Sequence, residues 1–420
     1  MTKKIKVLTL SDHPLSPSGV GTQTKYVIEA LLKTGKFQVL SLGGAIKHHD
    51  YSPRTVDPWG EDWKILPVDG YGTQEMIRSV LRNEKPDILW IMTDPRFYEW
   101  LWQIENEIRP LCPIVYYHVW DNFPAPKFNE KFYKSNDLIV SISKLTHEIV
   151  NQVAPDVESK YIPHAVREDV FKPYTKEEKE KIKEDLLGQD KGKFIAFWNN
   201  RNARRKQSGT LLFWWKEWLD KRNLHGKAQL IMHTEPKDPH GQDLVQIVNE
   251  LKLNTNRQVL FSTQKVALEQ MGAFYNIADV TINISDAEGF GLATLESLSC
   301  GTPIIANMTG GLQEQVIGPE GENGVAIFPS SKAVIGSQQV PYIYEDRISK
   351  ESFIAALDKM YSCGEEQRNE LGMQGHRHCR ANYSFDDFEK KWVSTMLDVH
   401  EKHSSWSTNN YSSIVFKEVA

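Results

Sequence analysis

Cysteine is scarce in this chain of 420 residues: Cys112, Cys300, Cys363 and Cys379 are its four thiols, and none stands in a C-x-x-C pair or at a zinc-site spacing. A disulfide framework and a structural zinc site are thereby excluded as organising features, and buried or free thiols in a reducing compartment are expected. Long apolar runs are missing as well. No stretch approaches the ~20 residues needed to span a bilayer. Met-Thr-Lys-Lys leads straight into the strand-like run Ile5 to Leu10, without the apolar stretch and cleavage site of a secretory signal. The expectation is a cytoplasmic protein with room for peripheral contact with a membrane. Neither sign of charge dominates, since the net charge is −5, which argues against a broad basic face for nucleic acid.

What is present is a globular composition, 40% hydrophobic and 25% charged, in a chain too long for one ordinary core and suited to two domains. Short β-branched or aromatic runs alternate with helical patterns. The first set is Ile5 to Leu10, Phe37 to Leu42, Ile88 to Met92, Ile114 to His118 and Leu138 to Ser143. After a charged helix at Lys176 to Leu187 comes a second set: Phe194 to Trp198, Gln229 to His233, Gln258 to Phe261, Val280 to Ile284, Pro303 to Asn307 and Val325 to Phe328. This rhythm predicts two successive parallel sheets with crossover helices. Trp214, Trp215 and Trp218 share a helix and at that spacing are expected to pack on the sheet. Phe388, Trp392, Met396 and Val399 recur at helical spacing, so a last amphipathic helix needs a partner surface. The serine-rich tail from His403 is expected to be mobile, and Ser330 to Ser349 reads as an insertion, either a lid or partner contact or a surface excursion.

The most informative segment is E-G-F-G-L-A-T-L-E, bracketed by Glu288 and Glu296. It reads as the end of a strand, a glycine-bearing turn and a helix from Leu292 that Gly301 and Pro303 terminate. A helix amino terminus preceded by glycines suits an anion. Carboxylates repel phosphate but accept hydrogen bonds from hydroxyls, so the combination suits a ligand with both an anionic and a polyhydroxy part, as in a sugar nucleotide.

The run A-D-V-T-I-N-I-S-D-A-E-G-F-G-L-A-T-L-E-S-L-S-C-G-T-P-I-I-A-N-M-T-G-G-L-Q-E-Q, Ala278 to Gln315, resembles the donor-site signature of glycosyltransferase family 4, retaining enzymes of the GT-B architecture. The resemblance implies two Rossmann-like domains facing each other across a donor-binding cleft. Residues 1–165 would form the acceptor-side domain and 166–384 the donor domain, and 385–420 would contain a helix crossing back to the first. Lys160 to Pro173 resembles the exit strand and exposed linker of that family. The resemblance further implies that Glu296 holds the ribose hydroxyls, that Glu288 holds the donor sugar, and that the N–H groups of Phe290, Gly291 and Leu292 contact sugar or phosphate.

Arg201 and Lys206, in N-N-R-N-A-R-R-K-Q after the strand Phe194 to Trp198, match the family's diphosphate-binding pair and stand where open α/β sheets place ligands. Arg204 and Arg205 read as solvated charges or acceptor contacts. Ser18-Gly19-Val20-Gly21-Thr22 looks like a dinucleotide fingerprint. Thr24, the long loop from Leu10 and the absence of an acidic residue at Leu42-Gly43-Gly44 argue against NAD. In the family, glycines such as Gly19 and Gly21 face the donor phosphate, and a histidine like His118 lies close to the transferred sugar. Asp121 is a weaker acceptor-side candidate, and His164 and Ala165 read as structural. No cofactor and no metal are expected, because a metal at Asp286-Ala287-Glu288 would compete with the helix terminus and Arg201 for the same phosphates.

The resulting expectation is a metal-independent, retaining glycosyltransferase moving a hexose or deoxyhexose from a UDP- or GDP-sugar. Its acceptor is left open among glycan, lipid, protein and modified nucleobase. The rivals are a sugar-nucleotide epimerase or hydrolase and a non-catalytic sensor.

Overall fold

The computed structural model describes residues 3–403. The chain divides into two compact units: one takes in the chain up to His164 together with the last helix from Asp386, and the other runs from Ala165 to Phe385. The tail expected to be mobile beyond His403 lies outside the described residues.

In the first unit the strands are β1 (Ile5–Asp12), β2 (Phe37–Gly44), β3 (Arg54–Val56), β4 (Gly60–Pro67), β5 (Ile88–Met92), β6 (Ile114–His118), β7 (Leu138–Ser141) and β8 (Ser159–Tyr161). They lie in the order β3-β4-β2-β1-β5-β6-β7-β8. Every neighbouring pair is parallel except β3 with β4. Strands covered on both faces need unbroken apolar runs, and every residue of β5 and β6 is buried. The strands that the apolar-run pattern does not reveal lie toward the sheet edges. In β4 only Trp63 and Ile65 are buried, with charged residues beside them.

The helix Phe385–His403 buries Phe388, Trp392, Met396 and Val399. The Trp392 ring meets Tyr117 edge-on at 4.8 Å and Trp90 at 5.9 Å, and Lys33 pairs with Glu389 at 2.5 Å. One amphipathic stripe thereby finds a covering surface within its own unit.

The second unit's sheet contains β9 (Phe194–Asn199), β10 (Ala228–His233), β11 (Val259–Ser262), β12 (Val280–Asn283) and β13 (Ile304–Asn307). After the short pair β14 (Ile317–Gly318) and β15 (Gly321–Glu322) it is completed by β16 (Gly324–Ile327). The order is β11-β10-β9-β12-β13-β16, parallel throughout. Trp215 and Trp218, from the helix Ser208–Arg222, are fully enclosed in the core with Trp198 and Phe194, so the tryptophans pack as their spacing suggests.

Two expectations change. The stretch after His164 is no exposed linker: Val166, Val170 and Phe171 are buried. Asn276 accepts from the Tyr174 N–H at 2.8 Å and donates to the Lys172 carbonyl at 3.0 Å, fastening that segment to the second unit. The insertion is ordered as an antiparallel hairpin, β17 (Ser331–Ile335) with β18 (Ile343–Arg347).

Removing the largest buried side chain of a helix contact leaves a cavity costing about 3–5 kcal/mol. Trp392→Ala is therefore expected to lower the stability of the first unit by about that amount, while the second unit unfolds as before. Urea denaturation followed by hydrogen exchange of each unit checks this.

Candidate functional site

The order of the second sheet reverses at β9. From β9 the chain steps outward through β10 to β11, then returns to the other side of β9 with β12 and continues through β13 to β16. Chain segments leaving β9 and β12 at their carboxyl ends lead to opposite sides of this switch in strand order, the place where open α/β sheets take ligands. Both candidate clusters of the second unit lie on those two segments.

After β9 the chain reaches a single 3-10 turn, Arg204–Lys206, which ends on Gln207 in the left-handed region at φ +57°. The turn delivers Lys206 nearly buried, its side chain 9% exposed, against the carboxylate of Glu288, itself 13% exposed. The Lys206 ammonium donates directly to Glu288 Oε2. Around this contact the loops are laced together. The Asp286 N–H donates to the Arg205 carbonyl at 2.8 Å, Arg205 donates to the Ala287 carbonyl at 2.7 Å, and Gln207 Nε2 donates to Asp286 Oδ2 at 2.5 Å. Burial pushes the Glu288 carboxyl toward its neutral form, but Lys206 and Arg205 outweigh burial and hold it below its ordinary value. It is therefore an anion with its countercharge already in place.

Glycine makes the loop possible from behind. A Cβ on Gly310, at φ +51°, would stand 1.7 Å from the Glu288 carbonyl oxygen, while the next residue, Gly311, donates its N–H to that oxygen at 3.0 Å. Only a residue without a side chain lets the two segments approach so closely. Gly291, at φ +91°, turns the chain into the helix Leu292–Ser299, whose start has no side-chain cap. The positive end of that helix thus follows the carboxyl end of β12 without a side-chain acceptor of its own. Phe290 is buried, and its ring meets Tyr383 edge-on at 5.7 Å.

Glu296 lies on the same short helix. Tyr275, from the helix Leu268–Ile277, donates its hydroxyl to Glu296 Oε2 at 2.6 Å and accepts from Asn199 Nδ2 at 2.8 Å. Burial raises the Glu296 carboxyl to about 7, an effect the Tyr275 hydrogen bond only partly offsets. The two glutamates, alike in sequence, are thus electrostatically distinct: Glu288 is held as an anion, and Glu296 exchanges its proton near neutrality. Asp286 is also raised, to about 6, by burial, with Gln207 and Arg347 opposing.

Not every candidate joins this cluster. The Arg201 side chain is 61% exposed, and its Nε donates to Asp238 Oδ2 at 2.7 Å. Arg205, which spacing places among solvated charges, is instead the second cation felt by Glu288. Arg204 is not simply solvated either, since both its terminal nitrogens donate to Glu345, at 2.9 and 2.5 Å.

In the first unit, Gly19 and Gly21 open the helix Gly19–Lys33, where Ser18 accepts from the Gly21 N–H at 2.9 Å. Ser18 and Tyr71 both donate to the Asp12 carboxylate, at 2.7 and 2.8 Å. His118, expected beside a sugar, is instead fully enclosed at the end of β6. Its Nε2 bonds the Tyr133 hydroxyl at 2.7 Å, and burial lowers its pKa to about 3. As placed, its ring offers no atom to solvent, because Tyr133 and Tyr116 close over it edge-on. Its Nδ1 is buried without a hydrogen-bond partner.

Tyr275, Glu345 and Arg347 are polar residues of this neighbourhood that the sequence did not single out. No motif marks them: Tyr275 reaches Glu296 across 21 residues of sequence, and Glu345 reaches Arg204 across 141.

Residues 178–360 match the family described as "Glycosyl transferases group 1". Among curated proteins, the D-inositol 3-phosphate glycosyltransferase of Acidothermus cellulolyticus is 44% identical over 59 residues, which are 14% of this chain and 13% of that one. The alpha-monoglucosyldiacylglycerol synthase of Acholeplasma laidlawii is 25% identical over 203 residues, 48% of each chain. The likeness thus spans less than half the length of either relative. Among solved structures, sucrose-phosphate synthase from Thermosynechococcus elongatus superposes with a TM-score of 0.74 at 17% identity, over 95% of this chain and 100% of that one. An Anabaena protein solved with UDP and glucose gives 0.68 at 14% identity, over 94% and 100%. The fold is GT-B, with two Rossmann-like domains, and the residues that match the group 1 model lie within its second unit.

The state of Glu296 gives a test that needs no substrate. The fold holds a proton on this group up to about pH 7, whereas an unfolded glutamate releases it near its ordinary value. Its contribution to stability is therefore full at low pH and lost as pH rises through 7. Glu296→Gln still accepts from Tyr275 and cannot ionise. Between about pH 5 and about pH 8 the wild type is expected to lose on the order of 1–2 kcal/mol relative to the variant. Denaturation midpoints at both pH values measure the difference.

Proposed function

We propose that this protein is a retaining glycosyltransferase that moves a hexose or deoxyhexose from a UDP- or GDP-sugar to an acceptor hydroxyl. The observation that carries the reading is the Lys206–Glu288 pair, at the carboxyl ends of β9 and β12 and beside a helix start without a side-chain cap. A diphosphate leaving group gains negative charge as the glycosidic bond breaks. A fixed ammonium, a neighbouring guanidinium on the same loop and a helix amino terminus stabilise that charge without reorganising. Glu288, held anionic, accepts hydroxyl hydrogen bonds from the donor sugar, while Glu296 takes the ribose hydroxyls in the place now filled by Tyr275.

In this reading the bond from the sugar's anomeric carbon to the phosphate oxygen breaks first, and its electron pair goes to the diphosphate. The acceptor oxygen bonds the anomeric carbon on the face the leaving group departs, and the acceptor's proton passes to the departing phosphate oxygen. Glu288 forms no covalent bond and orients the sugar. The match of residues 178–360 to the group 1 model, and a relative named as a glycosyltransferase, support the class of reaction. The neighbour solved with UDP and glucose supports the class of donor.

Purified protein incubated with a panel of UDP- and GDP-sugars and candidate acceptors is expected to release UDP or GDP. Lys206→Ala should lower that rate by about 10²–10³-fold. Glu288→Ala should lower it and weaken donor binding, as read by calorimetric titration. Product NMR is expected to show an α-configured donor giving an α-linked product. Release of free or epimerised sugar independent of acceptor, or turnover indifferent to both substitutions, refutes the proposal.

A further inference from the structure

The inserted hairpin, β17 with β18, does more than cover the surface. Most of its tip is exposed, with Tyr342 at 47% and only Val340 buried there, but the last residues of its second strand run into the base of the donor-side loops. Glu345 is almost wholly buried and takes both terminal nitrogens of Arg204, at 2.9 and 2.5 Å, and Arg347 NH2 at 3.1 Å. Arg347 Nε lies 3.2 Å from Asp286 Oδ2, close enough for an ion pair though not aligned as a hydrogen bond. The Asp346 N–H donates to the Asp286 carbonyl at 2.9 Å. Asn307, at the end of β13, donates from the same nitrogen to the Ser285 carbonyl at 2.9 Å and the Asp346 carbonyl at 3.0 Å.

These contacts close a ring. Arg204 and Gln207 flank Lys206 on one loop, and Asp286 stands two residues before Glu288 on the other. Gln207 meets Asp286 directly, while Glu345 and Arg347 connect Arg204 to Asp286 the long way round. Charges held by several partners at once rigidify the backbone that carries them. Neither loop has regular structure beyond one 3-10 turn.

We propose that the hairpin braces the donor-side pair: Glu345 and Arg347 set the spacing of the loops that carry Lys206 and Glu288, and so act as positioning residues for that site. The proposal rests on the function inferred above for its catalytic consequence, but not for its mechanical one.

Two measurements on the full-length protein separate the two. In hydrogen–deuterium exchange, Glu345→Ala and Arg347→Met are expected to speed exchange across 203–208 and 283–289 several-fold, leaving β10 and the helix Leu292–Ser299 unchanged. Replacing the exposed tip residues Gln338 and Gln339 by glycine should leave all four segments as in the wild type. Unchanged exchange at the two loops overturns the brace, and so does equal acceleration throughout the second unit, which would report general destabilisation. Turnover of whichever UDP- or GDP-sugar the wild type consumes reads the consequence. Arg347→Met should lower kcat about tenfold with KM within about twofold, as for an interaction realised mainly in the transition state, and Arg347→Lys should restore most of it. A raised KM at unchanged kcat, or no rescue by lysine, refutes the positioning role. If the wild type consumes no sugar nucleotide, the proposed function falls, and the exchange experiment still decides whether the hairpin braces the loops.

Discussion

A lysine ammonium held against a glutamate carboxylate, both nearly out of water, is the constraint on which the second unit's site depends. An isolated charge in such a place costs several kcal/mol, and pairing compensates only when geometry is good and further polar groups satisfy the remaining valences. The surroundings meet those conditions. Asn283 and Ser285 both approach the same oxygen of Glu288, at 3.4 and 3.5 Å, and Arg205 adds its charge from the neighbouring loop. The pair is consequently better understood as a preorganised centre than as a stabilising salt bridge. A ligand bearing phosphates competes with Glu288 for Lys206, and one bearing hydroxyls competes with Lys206 for Glu288. A molecule carrying both satisfies each partner as the other is drawn away.

The second glutamate illustrates how local dielectric separates groups of identical chemistry. Glu296 has a tyrosine hydroxyl where Glu288 has an ammonium, and a neutral donor offsets burial far less than a charge does. Binding of a ribose at Glu296 would exchange one hydroxyl donor for others, a substitution among neutral partners that leaves the carboxyl's charge balance nearly unchanged. At Glu288 the exchange involves full charges. The fold thus gives two identical side chains, eight residues apart in sequence, different electrostatic states.

The legible parts of the chain are those where covalent geometry forces a residue type. Gly291 and Gly301 both have positive φ, and Gly310 has no room for a Cβ. Such requirements leave fixed letters at fixed spacing, so the strand, turn, helix and glycine pair from 280 to 311 could be read before any coordinates. Buried strands were legible for a similar reason, as unbroken apolar runs. The half-buried β4 was not, because its charged residues dilute the pattern. Side-chain partnerships across long separations leave no such mark. The family pattern and the spacing from the strand favoured Arg201 with Lys206; in the folded loop Arg201 pairs with Asp238, and Arg205 is the second cation felt by Glu288. A single 3-10 turn decides which arginine faces inward, and nothing in Arg-x-x-Arg-Arg-Lys announces where that turn falls. His118 shows the converse: a strand end is a good address for a ligand contact, and in the fold Tyr133 bonds and packs against the ring at that address.

The fate of the insertion follows from the same physics. Loops at a switch point diverge by construction, so their mutual spacing is not fixed by the sheet that launches them. Direct hydrogen bonds between them fix it in part, as with Asp286 and the Arg205 carbonyl. Those bonds lie close to Lys206 and Glu288, and a bound diphosphate would draw on some of the same side chains. A support anchored elsewhere avoids that conflict. The hairpin supplies one by tying the loops to β13 through Asn307 and to Asp286 through Asp346 and Arg347. Its contacts involve neither Lys206 nor Glu288, so the brace leaves the central pair's own partners unchanged.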